Sequence, residues 1–385
     1  MNILYIVHDN KKGGAALSFL EMISIIKKEH NVYVLTPHKN GYLPQKLDEM
    51  QISHSNAHYF WWKIALPQNK IAGLLLLFIY KILNVYNNIE AKRIKKLLDE
   101  KGINLIHSNS SVINFGALLS KETGIPHVWH LREYGEEDFG LKRMVSAIRY
   151  HKEMNAYAVG YIAISKSIKK KFSDVVDENK IYQIYNGVSE KFAFQKTFLN
   201  ANDAKTKFLI AGNYCEEKGQ TNVIKAVIEL QKQGINEFEV YLAGSGDFAE
   251  PKRLVSENGL EKVVTFCGLV EDMQQLRRMV DAEIVASKCE AFGRVTIEAM
   301  RMSNPVIGTN TGGTPELITD GVNGLLFEYG NYIQLAECMK KYIFDHTLIA
   351  KMGKNAYQTM KGKFTPEENA EKILELYKEK DVYVL

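Results

Sequence analysis

The sequence lacks the marks of several protein classes at once. Its four cysteines, Cys215, Cys267, Cys289 and Cys338, lie far apart with no C-x-x-C pair. That excludes a disulfide framework and a zinc knuckle, and it fits a reducing compartment. The charge excess is slight, a formal +4, and the lysines are scattered. The basic stripe of a nucleic-acid binder is therefore missing. No D-x-D motif closes an expected strand, so no catalytic metal and no cofactor are implied. No G-x-G-x-x-G follows the first apolar run, which argues against a dinucleotide-dependent dehydrogenase. The opening MNILYIVHDNKKGG has no basic leader or small-residue cleavage site and reads as a first strand, not a signal peptide.

The longest apolar run, Ile71 to Tyr86, is shorter than the roughly 20 residues of a spanning helix, and Lys81 interrupts it. Two readings remain. One is a helix buried in the first domain. The other is a membrane-docking surface over 61–96. There Trp61 and Trp62 would sit at the interface, with Lys63, Lys70, Lys92, Arg93, Lys95 and Lys96 facing anionic headgroups.

What the sequence does have is length for two domains and a repeated alternation of short apolar runs with helical stretches. The first series comprises Ile3–Val7, Val32–Thr36, Asn104–His107, His127–His130, Tyr161–Ser165 and Ile181–Tyr185, with helical stretches such as Ala15–Glu29 and Asn88–Glu100 between. The second comprises Lys207–Ala211, Glu239–Ala243, Val263–Cys267, Glu283–Ala286, Pro305–Thr309 and Gly324–Phe327. Such alternation predicts parallel sheets covered by helices on both faces. The expected organisation is two doubly wound α/β domains, 1–188 and 189–363. Ser189–Lys205 reads as the linker, and a last helix within 364–385 is expected to pack back on the first domain, its tail DVYVL docked.

The densest chemistry lies in SKCEAFGRVTIEAM, Ser287 to Met300. A strand ends, a loop carries Glu290, Phe292 and Gly293, and a helix begins near Arg294. A second carboxylate, Glu298, lies about one turn in. Free backbone N–H groups at that helix start suit a phosphate. A carboxylate can accept two hydroxyl hydrogen bonds, so Glu298 suits a ribose diol and Glu290 a hexose diol. The bland alternative is that Glu298 pairs with Arg294 on its own helix and Glu290 is a solvated loop residue.

Here the sequence resembles the family-4 glycosyltransferases, whose E-x7-E element is matched by Glu290 and Glu298 with the flanking F-G and E-A-M. The resemblance implies the GT-B fold, two facing Rossmann-like domains, and transfer of a sugar from a nucleotide donor with retention at the anomeric carbon. It assigns Glu290 to the donor sugar, Glu298 to the ribose and the amides around Gly293 and Arg294 to the diphosphate, with Phe292 and Val295 also in the donor site. It also covers AGNYCEEKGQ, where Gly212 makes a turn and Lys218 neutralises the leaving diphosphate. Asn213, within the donor-binding set, stands where the family usually has an arginine, which leaves Arg253 or Arg294 to assist. LAGSGD adds Gly244 and Gly246 to the nucleotide pocket, and NTGGTPELI (Asn310–Ile318) a further glycine-rich loop. From the first domain come Gly13 and Gly14 after the first strand, and His130, which the family places near the donor sugar.

These residues predict a retaining hexosyltransferase using a UDP- or GDP-linked sugar, with Glu290, His130 and Lys218 as catalytic residues. The expected acceptor is a glycan or lipid-linked molecule in envelope polysaccharide synthesis. The expected place is cytoplasmic, peripheral at the inner face of the membrane. The rivals are a non-catalytic partner subunit, motivated by Asn213, and a nucleotide-sugar epimerase of the same fold.

Overall fold

A computed structural model describes residues 1–67, 69–190, 193–196 and 205–379, without the side chains of residues 70 and 74. The chain divides into two compact units, Met1–Gly187 with Phe364–Leu385, and Val188–Lys363. Most of the expected linker and the tail 381–385 lie outside the described residues.

The first unit holds strands β1 (Asn2–Ile6), β2 (Asn31–Thr36), β3 (Ser53–Asn56), β4 (Lys63–Ala65), β5 (Leu105–Ser108), β6 (His127–Leu131), β7 (Leu141–Arg143), β8 (Ala158–Ala163) and β9 (Ile181–Gln183). Seven of them form a sheet in the order β3-β2-β1-β5-β6-β8-β9, and β4 pairs with β7 apart from it. All pairings in the large sheet are parallel. β1 shows why. Ile3 and Tyr5 enter one apolar cluster with Phe19 and Ile23, while Leu4 and Ile6 enter another with Ile94, Leu98 and Phe115. A strand apolar at every position needs cover on both faces, which a parallel sheet flanked by helices provides.

The helix Pro366–Glu379 belongs to this unit. Ala370, Ile373, Leu376 and Tyr377 join the cluster formed by Phe19, Val128 and Ile162. Each large apolar side chain buried this way contributes about 1.5–3 kcal/mol, so the helix is a structural part of the unit.

The second unit holds β10 (Thr206–Ala211), β11 (Phe238–Ala243), β12 (Val264–Gly268), β13 (Ala282–Val285), β14 (Val306–Thr309) and β15 (Gly324–Phe327). Their order is β12-β11-β10-β13-β14-β15. The order reverses between β10 and β13, and the crevice beyond the carboxyl ends of those two strands is where doubly wound sheets take ligands.

Three expectations need correction. The runs Ile71–Tyr86 and Asn88–Glu100 are one helix, Lys70–Glu100, capped by the Asn69 side chain. Asn87 does not break it, because its side chain donates to Phe60 O and accepts from Phe60 N (3.0 and 2.9 Å). Nor is its apolar run buried. Ile71, Leu75, Phe78, Ile82, Val85 and Ile89 are all more than half exposed. Finally, Trp62 and Lys63 face inward. Trp62 is wholly buried, stacked on Trp129 and donating to Ser111 O at 2.8 Å. Lys63 donates to Ser111 Oγ at 3.0 Å and lies over the Tyr150 ring. Trp61, half-buried, donates to His8 O. Composition had suggested an interfacial belt, but side-chain direction along this irregular stretch is set by the core beneath it. β3, β4 and β7 were missed because they are short and polar or charged.

Candidate functional site

In the second unit the side chains of interest gather at the carboxyl ends of β10 and β13. After β13 the chain turns through Ser287–Gly293 and starts the helix Arg294–Arg301, with Gly293 at φ 95° as its N-cap. The loop is held from both sides. Lys288 N donates to Glu217 O at 2.6 Å, and Gly313 N donates to Glu290 O at 2.7 Å. Thr311 Oγ1 donates to Lys288 O at 2.8 Å. Gly312 permits this: its φ is +61°, and a Cβ there would lie 2.5 Å from Glu290 O. The glycine pair in NTGGTPELI therefore has a packing reason, whatever ligand it also meets.

Within this frame Lys218 Nζ lies 2.5 Å from Glu290 Oε1, and Ser287 Oγ donates to the same oxygen at 2.6 Å. Glu290 is thus not the solvated loop residue of the bland reading. Lys218 arrives from the turn after β10, through the short helix Glu216–Lys218.

Glu298 pairs with Arg294 Nε at 2.8 Å, as the bland reading required, but also with Arg277 at 2.8 Å. Arg277 comes from the helix Met273–Met279 and donates to the fully buried Glu283 at 3.0 Å as well. Asn304 Nδ2 adds a bond to Glu283 at 3.2 Å. Burial would push the Glu298 pKa up, but the Arg277 and Arg294 guanidiniums outweigh it and hold the carboxyl below its ordinary range. Glu283, deeper, is pushed up by burial despite Arg277. Glu298 is therefore a fixed, ionised acceptor with two arginines behind it.

Asn213 does not replace a charge. Its Oδ1 accepts from Ser245 N (3.1 Å) and Ser245 Oγ (2.9 Å), tying the turn after β10 to that after β11. Gly244, at φ +153°, would place a Cβ 2.0 Å from Gly212 O, so these loops touch backbone to backbone. Gly246 packs against Tyr214. Arg253 is spent on Glu250 and Glu257 of its own exposed helix. Phe292 is buried, so backbone is what it offers a ligand, while Val295 is half-buried.

In the first unit, Gly13 caps the helix Gly14–Ile26 in an extended conformation, with open space where its Cβ would be. His130 closes β6 and is fully buried. Its Nδ1 lies 3.1 Å from His107 Nε2 and 3.3 Å from Arg132 NH2, while no partner reaches its Nε2. Burial, then the Arg132 charge, push the His130 pKa well below its usual value, and the same causes act on His107. Both rings are thereby pushed toward the neutral form. Among the described residues no group of three His, Cys, Asp or Glu is placed to hold a metal ion.

Arg277, Ser287, Glu283 and His107 had gone unnoticed in the sequence. Only Ser287 lay inside a recognised motif. Arg277 is brought to Glu298 by the β13 crossover, for which local spacing gives no signal.

Comparison with known proteins bears on the family and the fold. The family described as Glycosyltransferase Family 4 matches residues 12–192, and that described as Glycosyl transferases group 1 matches residues 191–359. The fold is similar to that of Anabaena Alr3699/HepE in complex with UDP-glucose, with a TM-score of 0.78 at 22% identity, covering 98% of this chain and 100% of that one. The chain belongs to the family-4 glycosyltransferases and has the GT-B fold. An uncharacterized glycosyltransferase, MJ1178 of Methanocaldococcus jannaschii, is 28% identical over 74% of this chain and 78% of its own length. The capsular polysaccharide biosynthesis glycosyltransferase CapM of Staphylococcus aureus is 27% identical over 57% of this chain and 61% of its own.

Proposed function

We propose that this glycosyltransferase moves a hexose from a UDP- or GDP-linked donor to a glycan or lipid-linked acceptor of the cell envelope, with retention. The observation that carries this is the pair of preset carboxylates at the β10–β13 switch, Glu290 with Lys218 and Glu298 with Arg277 and Arg294. Glu298 accepts from the ribose diol and Glu290 from the hexose. Lys218, released from Glu290 by the incoming diphosphate, meets the charge that grows there as the anomeric C–O bond breaks. The acceptor oxygen attacks on the face the diphosphate leaves, and its proton passes to the departing phosphate oxygen. His130 contributes a hydrogen bond to the transferred sugar. No cofactor or metal is needed. The relatives involved in capsule synthesis and the similar structure holding UDP-glucose support the setting and the donor class.

The test is a donor screen. UDP-, GDP- and ADP-sugars are compared by thermal shift and nucleotide release, each repeated with Glu298→Ala. Selective stabilisation by one nucleotide, lost in the variant, is expected. No response to any donor would favour the second reading, a non-catalytic partner, for which Asn213 and its purely structural bonds speak.

The acceptor side rests on the helix Lys70–Glu100. Tyr80, Asn87, Ala91, Ile94 and Leu98 face its own unit, so lipid cannot surround it, although it is long and apolar enough to cross a membrane. Its outer row, Ile71, Leu75, Phe78, Ile82, Val85 and Ile89, recurs at alternate steps of four and three and continues on the same face into Lys92, Arg93 and Lys96. An apolar stripe ending in cations fits an anionic bilayer at the inner face of the cell membrane. Beside it a cavity of about 470 Å³, walled by Leu77, Phe78, Met144 and Val145, carries Lys81 and Arg149. Co-sedimentation with phosphatidylglycerol vesicles, abolished by Phe78→Glu with Ile82→Glu, is expected. A dimer in solution that the same changes dissociate, without vesicle binding, would make the face a contact between copies instead.

A further inference from the structure

Several buried polar atoms of the first unit meet no hydrogen-bond partner, and His130 Nε2 is the one among them whose ring is held on its other side by a donor-only group. His130 is fully buried, yet its Nε2 meets no hydrogen-bond partner. A buried polar group left so destabilises the fold unless a partner arrives. What the other ring nitrogen does decides what this atom is.

The protons along the chain of contacts can be assigned by elimination. Arg132 is a donor only, and its NH2 lies 3.3 Å from His130 Nδ1, so that nitrogen is an acceptor. His107 Nε2, 3.1 Å from the same atom, must then be the N–H that donates to it. His107 Nδ1 is consequently an acceptor, and the hydrogen bond it shares with Tyr377 Oη, 2.5 Å away, is donated by the phenol. Tyr5 Oη stands 3.4 Å behind Tyr377 Oη. Arg132 is itself pinned by Asn109 Oδ1 at 2.7 Å and Asn186 Oδ1 at 2.6 Å, so the group that breaks the ambiguity is fixed.

We propose that Tyr377, His107 and Arg132 are positioning residues that lock His130 as the neutral Nε2–H tautomer, a donor preset for a hydroxyl oxygen of the transferred sugar. His130 then acts as a directed donor, neither a base nor a cation. The remote helix Pro366–Glu379 supplies the first proton of the relay through Tyr377. The sugar contact rests on the functional reading above, while the tautomer does not.

The two parts separate in one experiment. Protein carrying isotope-labelled histidine is examined by proton–nitrogen correlation of the ring nitrogens, with His130 identified by its loss in His130→Gln. The expected wild-type ring is neutral with its proton on Nε2, from neutral into mildly acidic solution. Arg132→Met, which removes the donor-only group, should mix the tautomers and lower turnover about tenfold, with the donor KM little changed. Arg132→Lys, whose ammonium still donates to His130 Nδ1, should recover most of that loss. Tyr377→Phe, which keeps Arg132, should leave the proton mainly on Nε2 and lower turnover less, and the wild-type spectrum carries the test if Arg132→Met does not fold. A wild-type proton on Nδ1, or an imidazolium at neutral pH, overturns the relay. A tautomer that responds while turnover does not leaves the relay standing and removes His130 from the sugar contacts.

Discussion

The two units hold their polar groups in opposite electrical states. In Val188–Lys363 the side chains at the strand ends are ionised and paired: Lys218 with Glu290, and Arg277 and Arg294 with Glu298. In the first unit His107, His127 and His130 are buried, and burial, joined for His107 and His130 by the Arg132 charge, pushes their pKa values down toward the neutral ring. Each state suits a different task. A departing diphosphate needs charges already in place, because orienting them during reaction would cost free energy. A neutral N–H donates in a fixed direction and carries no charge.

The comparison breaks most sharply at Glu290. Glu290→Ala should slow turnover by about 2–4 kcal/mol of barrier, on the order of a hundredfold or more, with the fold intact. Steady-state kinetics beside a thermal melt would show it, and a wild-type rate would detach the loop from the chemistry. On stability, where Glu290→Ala is neutral, the largest effect is that of Glu283→Ala, which leaves Arg277 buried with only the partly exposed Glu298. Breaking a buried pair in this way costs about 3–5 kcal/mol, read as a lower urea midpoint. Donor binding should weaken too, since Arg277 then draws on Glu298 alone.

Acid separates the units by sign and window. The buried histidines have folded pKa values below the ordinary 6.5, His127 pushed down to about 3 by burial. Their unfolded forms take up protons first, so stability is lost as pH falls below about 6.5, by up to about 1.4 kcal/mol per histidine per pH unit. The Glu298 carboxyl is held low, so its contribution is present above the ordinary glutamate pKa and lost only as pH falls through its lower folded value. Between about pH 6.5 and 5 the first unit should therefore loosen before the second. Hydrogen exchange resolved by segment would check this, and equal loosening would erase the distinction. Smallest is Asn213→Ala, which removes two bonds to Ser245 and should cost about 1 kcal/mol with little change in donor affinity.

How far the sequence was legible follows from range. Glu290, Glu298 and the helix start at Arg294 lie in one strand–loop–helix segment, so their chemistry shows in local spacing. Arg277 reaches Glu298 across 21 residues, and Tyr377 reaches His107 across 270. Neither has a local signature, because parallel strands gather residues by crossovers of variable length. The alternation of runs revealed both sheets, each apolar on two faces. It could not show which way Trp62 or the Ile71–Ile89 row faces, since hydropathy reports how much apolar surface exists and not what covers it. Only the packing of Tyr80, Asn87 and Ile94 on the other side of that helix turns the row outward.

The helix Pro366–Glu379 also sets a timetable. A ribosome delivers Met1–Gly187 before Val188–Lys363, but Ile373, Leu376 and Tyr377, which complete the first unit's core, come after both. The middle of the chain, up to Lys363, can finish folding while the beginning still waits for its last helix. The unit begun first is thus completed only after the other has been made, and its histidine relay closes only once Tyr377 has followed.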